Sequence, residues 1–123
     1  TKVLVLVQTN VSGSNYNDPS PVLALFRDST KIGQATNTGS RVAASVGTQV
    51  FSGGYHGSIV DNTSIHYLDT HGADGSTAVT YKVGLAIRGT GGGSAFINRT
   101  PDNSDSSEHQ QSASSITVME ITQ

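Results

Sequence analysis

The sequence predicts a single all-β domain, an antiparallel β-sandwich of jelly-roll type with about eight strands. Short apolar segments rich in β-branched residues recur along the 123 residues, and Gly, Asn, Asp and Ser separate them. Ser, Thr and Gly make up more than a third of the chain, a composition that favours strands and turns over helices. No segment has the apolar period of an amphipathic helix. Because no linker or repeat interrupts the pattern, we expect residues 1–123 to form one domain.

The two ends of the chain are its most apolar segments. Residues 3–7 (VLVLV) and 114–122 (SSITVMEIT) show little alternation between apolar and polar side chains, which predicts strands buried on both faces. Such strands at both ends suggest a closed sandwich. Two-sided burial in so small a domain suggests further that neighbouring subunits cover part of it. The chain starts without Met and almost inside a strand, so we expect an upstream segment to precede it.

The first half of the chain contains a hairpin and one further strand. Residues 12–21 are rich in turn formers and predict a long connection. Residues 22–27 (VLALFR) predict the second strand, again apolar on both faces. A turn at 28–30 and a short return strand through 31–32 complete a hairpin. Residues 41–51 (RVAASVGTQVF) alternate imperfectly and predict another strand.

The second half contains the clearest alternation in the chain. Residues 64–69 (SIHYLD) predict a strand that leads into a turn at 70–76. A half-buried antiparallel strand is predicted next, because every second residue from 79 to 87 is apolar. A Gly-rich turn at 89–93 leads to a strand at 94–98, and a polar loop at 99–113 precedes the closing strand. The apolar positions of the alternating strand are Val79, Tyr81, Val83, Leu85 and Ile87.

Charge and composition exclude several classes of partner. The net charge is −2, and seven Lys and Arg cannot build the basic stripe that a nucleic acid or an anionic membrane requires. No apolar run is long enough for a membrane helix, so we expect no membrane insertion. The chain contains no Cys, which excludes disulfides, thiol catalysis and zinc–thiolate sites.

Catalytic motifs are not found in the sequence. The chain has no G-x-S-x-G segment, and none of its four His lies in a context that marks a general base. The GTGGG segment at 89–93 lacks the Lys-Ser/Thr ending of a phosphate-binding loop, and no helix is predicted after it. We therefore predict a protein that is not an enzyme, with no catalytic residue and no cofactor. The four His are His56, His66, His71 and His109.

Two loop segments collect possible metal ligands. Residues 69–74 (DTHGAD) and 102–108 (DNSDSSE) hold carboxylates and one imidazole, but neither has the spacing of a calcium loop. The favoured interpretation is that these acids satisfy backbone groups in their own turns, and we predict no metal ligand. His66 alternates with the apolar positions of its strand and is expected at a surface or an interface. Whether His side chains on a trimer axis bind a metal ion is left open.

Loop aromatics are the candidate ligand-binding residues. Tyr16, Tyr55 and His56 lie in Gly- and Asn-rich segments, where ring faces beside amides could contact a sugar. The alternative is that they pack over the ends of the sandwich. Three N-x-[ST] sequons, at Asn10, Asn62 and Asn98, are as many as chance provides in a chain of this composition.

Six segments, in order along the chain, resemble a domain found in tail fibres and other virion structural proteins of marine and cyanobacterial tailed phages. The resemblance covers nearly the whole chain. The segments are residues 2–7 (KVLVLV), 25–33 (LFRDSTKIG), 65–69 (IHYLD), 80–83 (TYKV), 96–99 (FINR) and 114–121 (SSITVMEI).

The resemblance implies a jelly roll of the trimeric complement and tumour-necrosis-factor type, exposed on a virion as part of a longer virion protein. It implies a homotrimer that contacts other virion proteins, and no catalytic residue. The expected function is host-surface attachment by a tail fibre or fibre knob that contacts a host glycan. The alternative is a capsid decoration protein or head fibre without receptor binding. A polysaccharide-degrading spike is disfavoured, because the chain shows no obvious pair of carboxylates in a cleft.

Overall fold

A computed structural model describes residues 1–14, 20–47, 59–70, 74–88 and 93–122. All regular structure within these ranges is β, which confirms the predicted all-β class and the number of strands. A membrane-spanning helix is not found in them. The strands are β1 (Lys2–Ser14), β2 (Ser20–Arg27), β3 (Thr30–Ile32), β4 (Val46–Gly47), β5 (Asp61–Asp69), β6 (Tyr81–Arg88), β7 (Ser94–Ile97) and β8 (Ser115–Ile121).

The strands form two antiparallel sheets with the same plan. In sheet 1 the central strand β1 pairs with β5 along one edge, and with β8 and then β7 along the other. In sheet 2 the central strand β2 pairs with β6 along one edge, and with β3 and β4 along the other. Each central strand therefore has one long partner on one side and two shorter partners, end to end, on the other side.

The apolar core lies between the sheets and comes from alternate residues of the central strands. In β1, Val3, Val5 and Val7 are buried, whereas Leu4 and Leu6 on the opposite face are half-buried. In β2 the core residues are Leu23 and Leu25. The predicted alternation is confirmed for the central part of β6, because Tyr81, Val83 and Leu85 pack against this core while the residues between them face outward. Val79 precedes the strand, and Ile87 is 41% exposed, so the apolar face is shorter than predicted.

The closing strand is not buried as predicted. All seven residues of β8 are exposed, and its four large apolar side chains keep between 38% and 48% of their surface accessible. The reason is its position. β8 pairs with β1 along one edge, and no other described strand pairs with it. The prediction of two-sided burial is therefore wrong for β8 in the single chain, and for β1 it is right for one face only.

The opening strand is longer than predicted. The sequence places a turn from residue 12, but β1 continues to Ser14, because β7 pairs with it from Val11 onward. Turn-forming residues can remain extended where a partner strand satisfies their backbone groups.

The strand predicted at 41–51 is largely absent from its described part, where only β4 is a strand. Ser45 explains the difference. Its N–H donates to the Leu23 carbonyl at 2.9 Å, and its hydroxyl accepts from the Leu25 N–H at 3.0 Å. The Ser45 hydroxyl thus accepts the hydrogen bond that a backbone carbonyl of a neighbouring strand would accept from β2. The backbone of β2 is therefore satisfied here without a longer paired strand. Residues 48–51 lie outside the described ranges.

The hairpin between β2 and β3 is confirmed. Arg27 pairs with Thr30, which leaves Asp28 and Ser29 as the turn, with Asp28 at a φ of 53°. The turn is tied to the segment before β6, because Asp28 N–H donates to the Thr80 carbonyl at 2.8 Å. The Thr80 N–H in turn donates to Asp28 Oδ1 at 2.9 Å.

Gly33 follows this hairpin where sheet 2 approaches sheet 1. Its φ is 61°, and a Cβ at this position would lie 2.8 Å from Cδ2 of Tyr67 on β5. Both the backbone conformation and the space therefore require glycine here.

Candidate functional site

The sugar-binding residues suggested by the sequence, Tyr16, Tyr55 and His56, lie outside the described ranges. The same is true of His71. The loop platform therefore stays a prediction, and the polar groups that the structure does describe are found elsewhere.

A buried polar cluster joins the two sheets at one end of the sandwich. Asp69, the last residue of β5, has a side chain that is 2% exposed. Arg27 of β2 donates from Nη1 to Oδ1 at 2.9 Å and to Oδ2 at 3.1 Å. The Tyr81 hydroxyl of β6 donates to Oδ2 at 2.9 Å. One carboxylate of sheet 1 thus receives two donor side chains from sheet 2, and the Arg27–Asp69 ion pair is partly shielded from solvent.

This cluster raises the pKa of Tyr81 to about 12, first because burial disfavours the phenolate and then because the hydroxyl donates to the Asp69 carboxylate. The sequence did not suggest the cluster. The sequence groups Asp69 with the loop acids, whereas in the structure its carboxylate accepts hydrogen bonds from the side chains of Arg27 and Tyr81. The available signal was the period of two along each strand, which places Arg27 on the same face as Leu25 and Tyr81 on the same face as Val83. Their direct pairing is seen only in the structure.

Two other acids of the loop segments, Asp74 and Asp102, accept hydrogen bonds from backbone groups of their own turns, as the favoured interpretation predicts. Asp74 Oδ1 accepts from the Ser76 N–H at 2.8 Å and from the Thr77 N–H at 3.0 Å, and these bonds lower the pKa of Asp74. Asp102 Oδ1 accepts from the Ser104 N–H at 3.1 Å. Within the described ranges, no group of three or more His, Cys, Asp or Glu is placed to hold a metal ion.

A serine, a histidine and an aspartate meet in the loop between β7 and β8. Nδ1 of His109 lies 3.0 Å from the Ser104 hydroxyl and 3.1 Å from the Ser104 carbonyl, and Nε2 lies 3.8 Å from Asp102 Oδ2. The roles of the ring nitrogens depend on the tautomer of His109. A proton on Nδ1 would be donated to the Ser104 carbonyl and would leave no lone pair to accept from the Ser104 hydroxyl. In either tautomer these contacts tie His109 to Ser104 within the loop.

The three sequon asparagines lie together where the partner of β1 changes from β8 to β7. Asn10 and Asn62 are opposite each other on β1 and β5, and Asn62 Nδ2 donates to Asn10 Oδ1 at 2.8 Å. Asn10 Nδ2 donates to the Ala113 carbonyl at 2.7 Å. The Ser114 hydroxyl accepts from the Asn10 N–H at 3.2 Å and donates to Asn98 Oδ1. We call Asn10, Asn98 and Ser114 the junction. Their polar groups hold the two collinear strands beside β1.

The outer face of sheet 1 is divided into two parts. At one end Leu4 lies between Leu68 of β5 and Met119 of β8, and Ile121 lies beside Lys2. Leu68, Met119 and Ile121 are 43%, 42% and 38% exposed. We call Leu4, Leu68, Met119 and Ile121 the apolar end. Exposed apolar surface gathered in one place is typical of an interaction site.

The adjoining part of the same face is polar. Leu6 lies between His66 and Thr117, and in the next row Gln8 lies between Ser64 and Ser115. With Asn62, these side chains line a shallow depression of about 440 Å³. We call it the polar depression. His66 is exposed here, as its alternation predicts.

Comparison with known protein families, with curated proteins and with solved structures gives no match. The geometry of this chain therefore has to support its own functional interpretation.

Proposed function

We propose that this chain is a non-enzymatic structural domain of a tailed-phage virion, located on the particle surface. In this proposal it is a tail-fibre or fibre-knob domain that assembles as a homotrimer and contributes to host-surface attachment. The sequence resemblance supports the virion assignment, and the two antiparallel sheets are consistent with the jelly roll that the resemblance implies.

The observation that carries the assembly part of the proposal is the apolar end of sheet 1. A small domain whose surface is covered mainly by hydroxyls and amides leaves Leu68, Met119 and Ile121 accessible in one patch. The inner face of β8 adds Ile116 and Val118, which are 45% and 48% exposed. Covering these side chains removes apolar area from water and so favours association. Contact between copies through the terminal strands would supply that cover.

Attachment to a host glycan would gain from a trimer. Three copies present three weak sites together, and binding at one site raises the effective concentration at the others. Tyr16, Tyr55 and His56 remain the loop candidates for these contacts. Other virion proteins are the expected partners of the rest of the fibre.

A capsid decoration protein or head fibre is the alternative. The same apolar surface favours it equally, because coating a shell also requires contact between copies. The two functions differ in the location of the chain on the particle.

Two measurements test the proposal. Sedimentation equilibrium at micromolar concentration is expected to give three times the chain mass of 12.7 kDa. A single-chain mass would refute the trimer. Immunogold electron microscopy of the virion is expected to label the tail. Label confined to the capsid lattice would replace the attachment role with the decoration role, and an unlabelled particle would refute both.

A further inference from the structure

We infer that the polar depression on the outer face of sheet 1 binds an uncharged saccharide. This inference rests on the attachment role proposed above and gives that role a second, specific site. The site spans three paired strands, since Gln8 comes from β1, Ser64 and His66 from β5, and Ser115 and Thr117 from β8.

The hydrogen-bonding groups of these five side chains are available to a ligand. Within the described part of the chain none of them has a partner, although neighbouring polar residues are heavily used. Asn62 is fixed by its bond to Asn10, so its amide is oriented before any ligand arrives. A site on paired strands loses little conformational entropy when it binds.

The chemistry of the lining selects the class of ligand. The described residues that line the depression include no Asp, Glu, Lys or Arg, so the imidazole of His66 is the one ionisable side chain among them that an ionic ligand would meet. An apolar ligand would take amides and hydroxyls out of water without giving them partners. A sugar hydroxyl both donates and accepts, and it therefore fits amide and hydroxyl groups in turn. Leu6 offers a half-buried apolar surface to the C–H face of a sugar ring.

The depression is distinct from the apolar end, although both lie on sheet 1. The rows of Leu6 and Gln8 form the depression, and the row of Leu4 belongs to the apolar end. The inference requires that contact between copies through the apolar end leaves the Gln8 row accessible. For this reason the test uses the protein in its native oligomeric state.

The test is a titration of the ¹⁵N-labelled protein, followed by amide chemical shifts. The probes are glucose, galactose, mannose and N-acetylglucosamine, each up to tens of millimolar, with sialic acid as an anionic comparison. We expect at least one neutral sugar to shift the amides of Gln8, Ser64, His66 and Thr117, with a Kd on the order of 1 mM. Absence of any neutral-sugar shift, or stronger binding of sialic acid, would overturn the inference.

Single substitutions test whether the saccharide binds in the polar depression. Gln8→Ala is expected to weaken binding about tenfold through a lost hydrogen bond, and Gln34→Ala, a change at an exposed residue beyond β3, is expected to leave it unchanged. If Gln8→Ala does not fold, Thr117→Val removes one hydroxyl on the edge strand with little change of shape. Equal binding by wild type, Thr117→Val and Gln34→Ala would refute the site.

The position of the shifts separates this inference from the proposed function. Shifts confined to the loops that contain Tyr16 and Tyr55 would refute the depression as the site and support the loop platform. Failure of the virion role itself would appear in the particle labelling and not in the titration.

Discussion

At the scale of single residues, Asp69 is in the most demanding environment. Its carboxylate is almost inaccessible, and Arg27 and Tyr81 bind it from the opposite sheet. Removing one partner of a shielded ion pair leaves the other charge poorly solvated. The free energy of unfolding therefore falls by more than it does when an exposed ion pair is broken. Arg27 keeps a side-chain exposure of 24%, and partial contact with water limits this penalty.

We expect Asp69→Asn to lower the free energy of unfolding by about 2–4 kcal/mol, measured by urea denaturation. The matched control is Asp105→Asn in an exposed loop, with an expected change within about 0.5 kcal/mol. Similar values for the two variants would show that the Arg27–Asp69 pair contributes little to stability.

The raised pKa of Tyr81 predicts a loss of stability in alkali. The hydroxyl titrates near 10.0 in the unfolded chain and near 12 in the folded one, so the folded state holds its proton more tightly. The contribution of protonated Tyr81 to the free energy of unfolding is complete below about pH 10. It is lost as the pH rises from about 10 to about 12. Urea midpoints across this interval are therefore expected to fall more steeply for wild type than for Tyr81→Phe. Parallel curves for the two proteins would contradict the assignment.

At the scale of elements, the shared feature of the two sheets is a central strand that changes partner along one edge. The change leaves backbone groups without a ladder partner, and side chains close the gap in both sheets. Ser45 does so beside β2. In sheet 1 the Ser114 hydroxyl accepts from the Asn10 N–H of β1, and the Asn10 side chain donates to the Ala113 carbonyl. Short polar residues are suited to this role because their side chains reach nearby backbone groups.

We expect Ser114→Ala to lower stability by about 1 kcal/mol, because the Asn10 N–H loses its acceptor. Hydrogen exchange at the Asn10 amide should accelerate more than the global change explains. Ser112→Ala is the control, since Ser112 is exposed and bonds to Asn98 through its backbone N–H. An unchanged rate at Asn10 in Ser114→Ala would refute the role of the junction.

At the scale of the whole molecule, the edge position of β8 decides what the isolated chain exposes. An exposed apolar edge strand favours pairing or packing with another chain, and β8 has neither a Pro nor a Lys to prevent it. The proposed trimer would cover the exposed apolar side chains of β8, which lie on both faces of the strand.

Met119→Lys is expected to convert a trimer into single chains, because each contact would have to bury a lysine ammonium in an apolar surface. The mass is measured by sedimentation velocity. Stability of the single chain should change little, since Met119 is already 42% exposed. The control Ser29→Lys changes an exposed turn of sheet 2 and should keep the trimer. A trimeric Met119→Lys would place the contact elsewhere.

The sequence by itself determined the all-β class, the approximate positions of most strands and the hairpin after β2. These features follow from local patterns of apolar residues and turn formers, which act over a few residues. It also identified the alternating face of β6. The loop platform at Tyr16, Tyr55 and His56 remains its own prediction.

Only the tertiary structure decided which strands are central and which are at an edge. Val5 and Val118 are direct neighbours in similar apolar segments, yet Val5 is fully buried and Val118 is 48% exposed. The difference arises because β1 has partners on both sides and β8 has one described partner. The Asp69 cluster, the junction and the polar depression likewise join residues far apart in the chain. Their formation depends on long-range pairing, which no local pattern specifies.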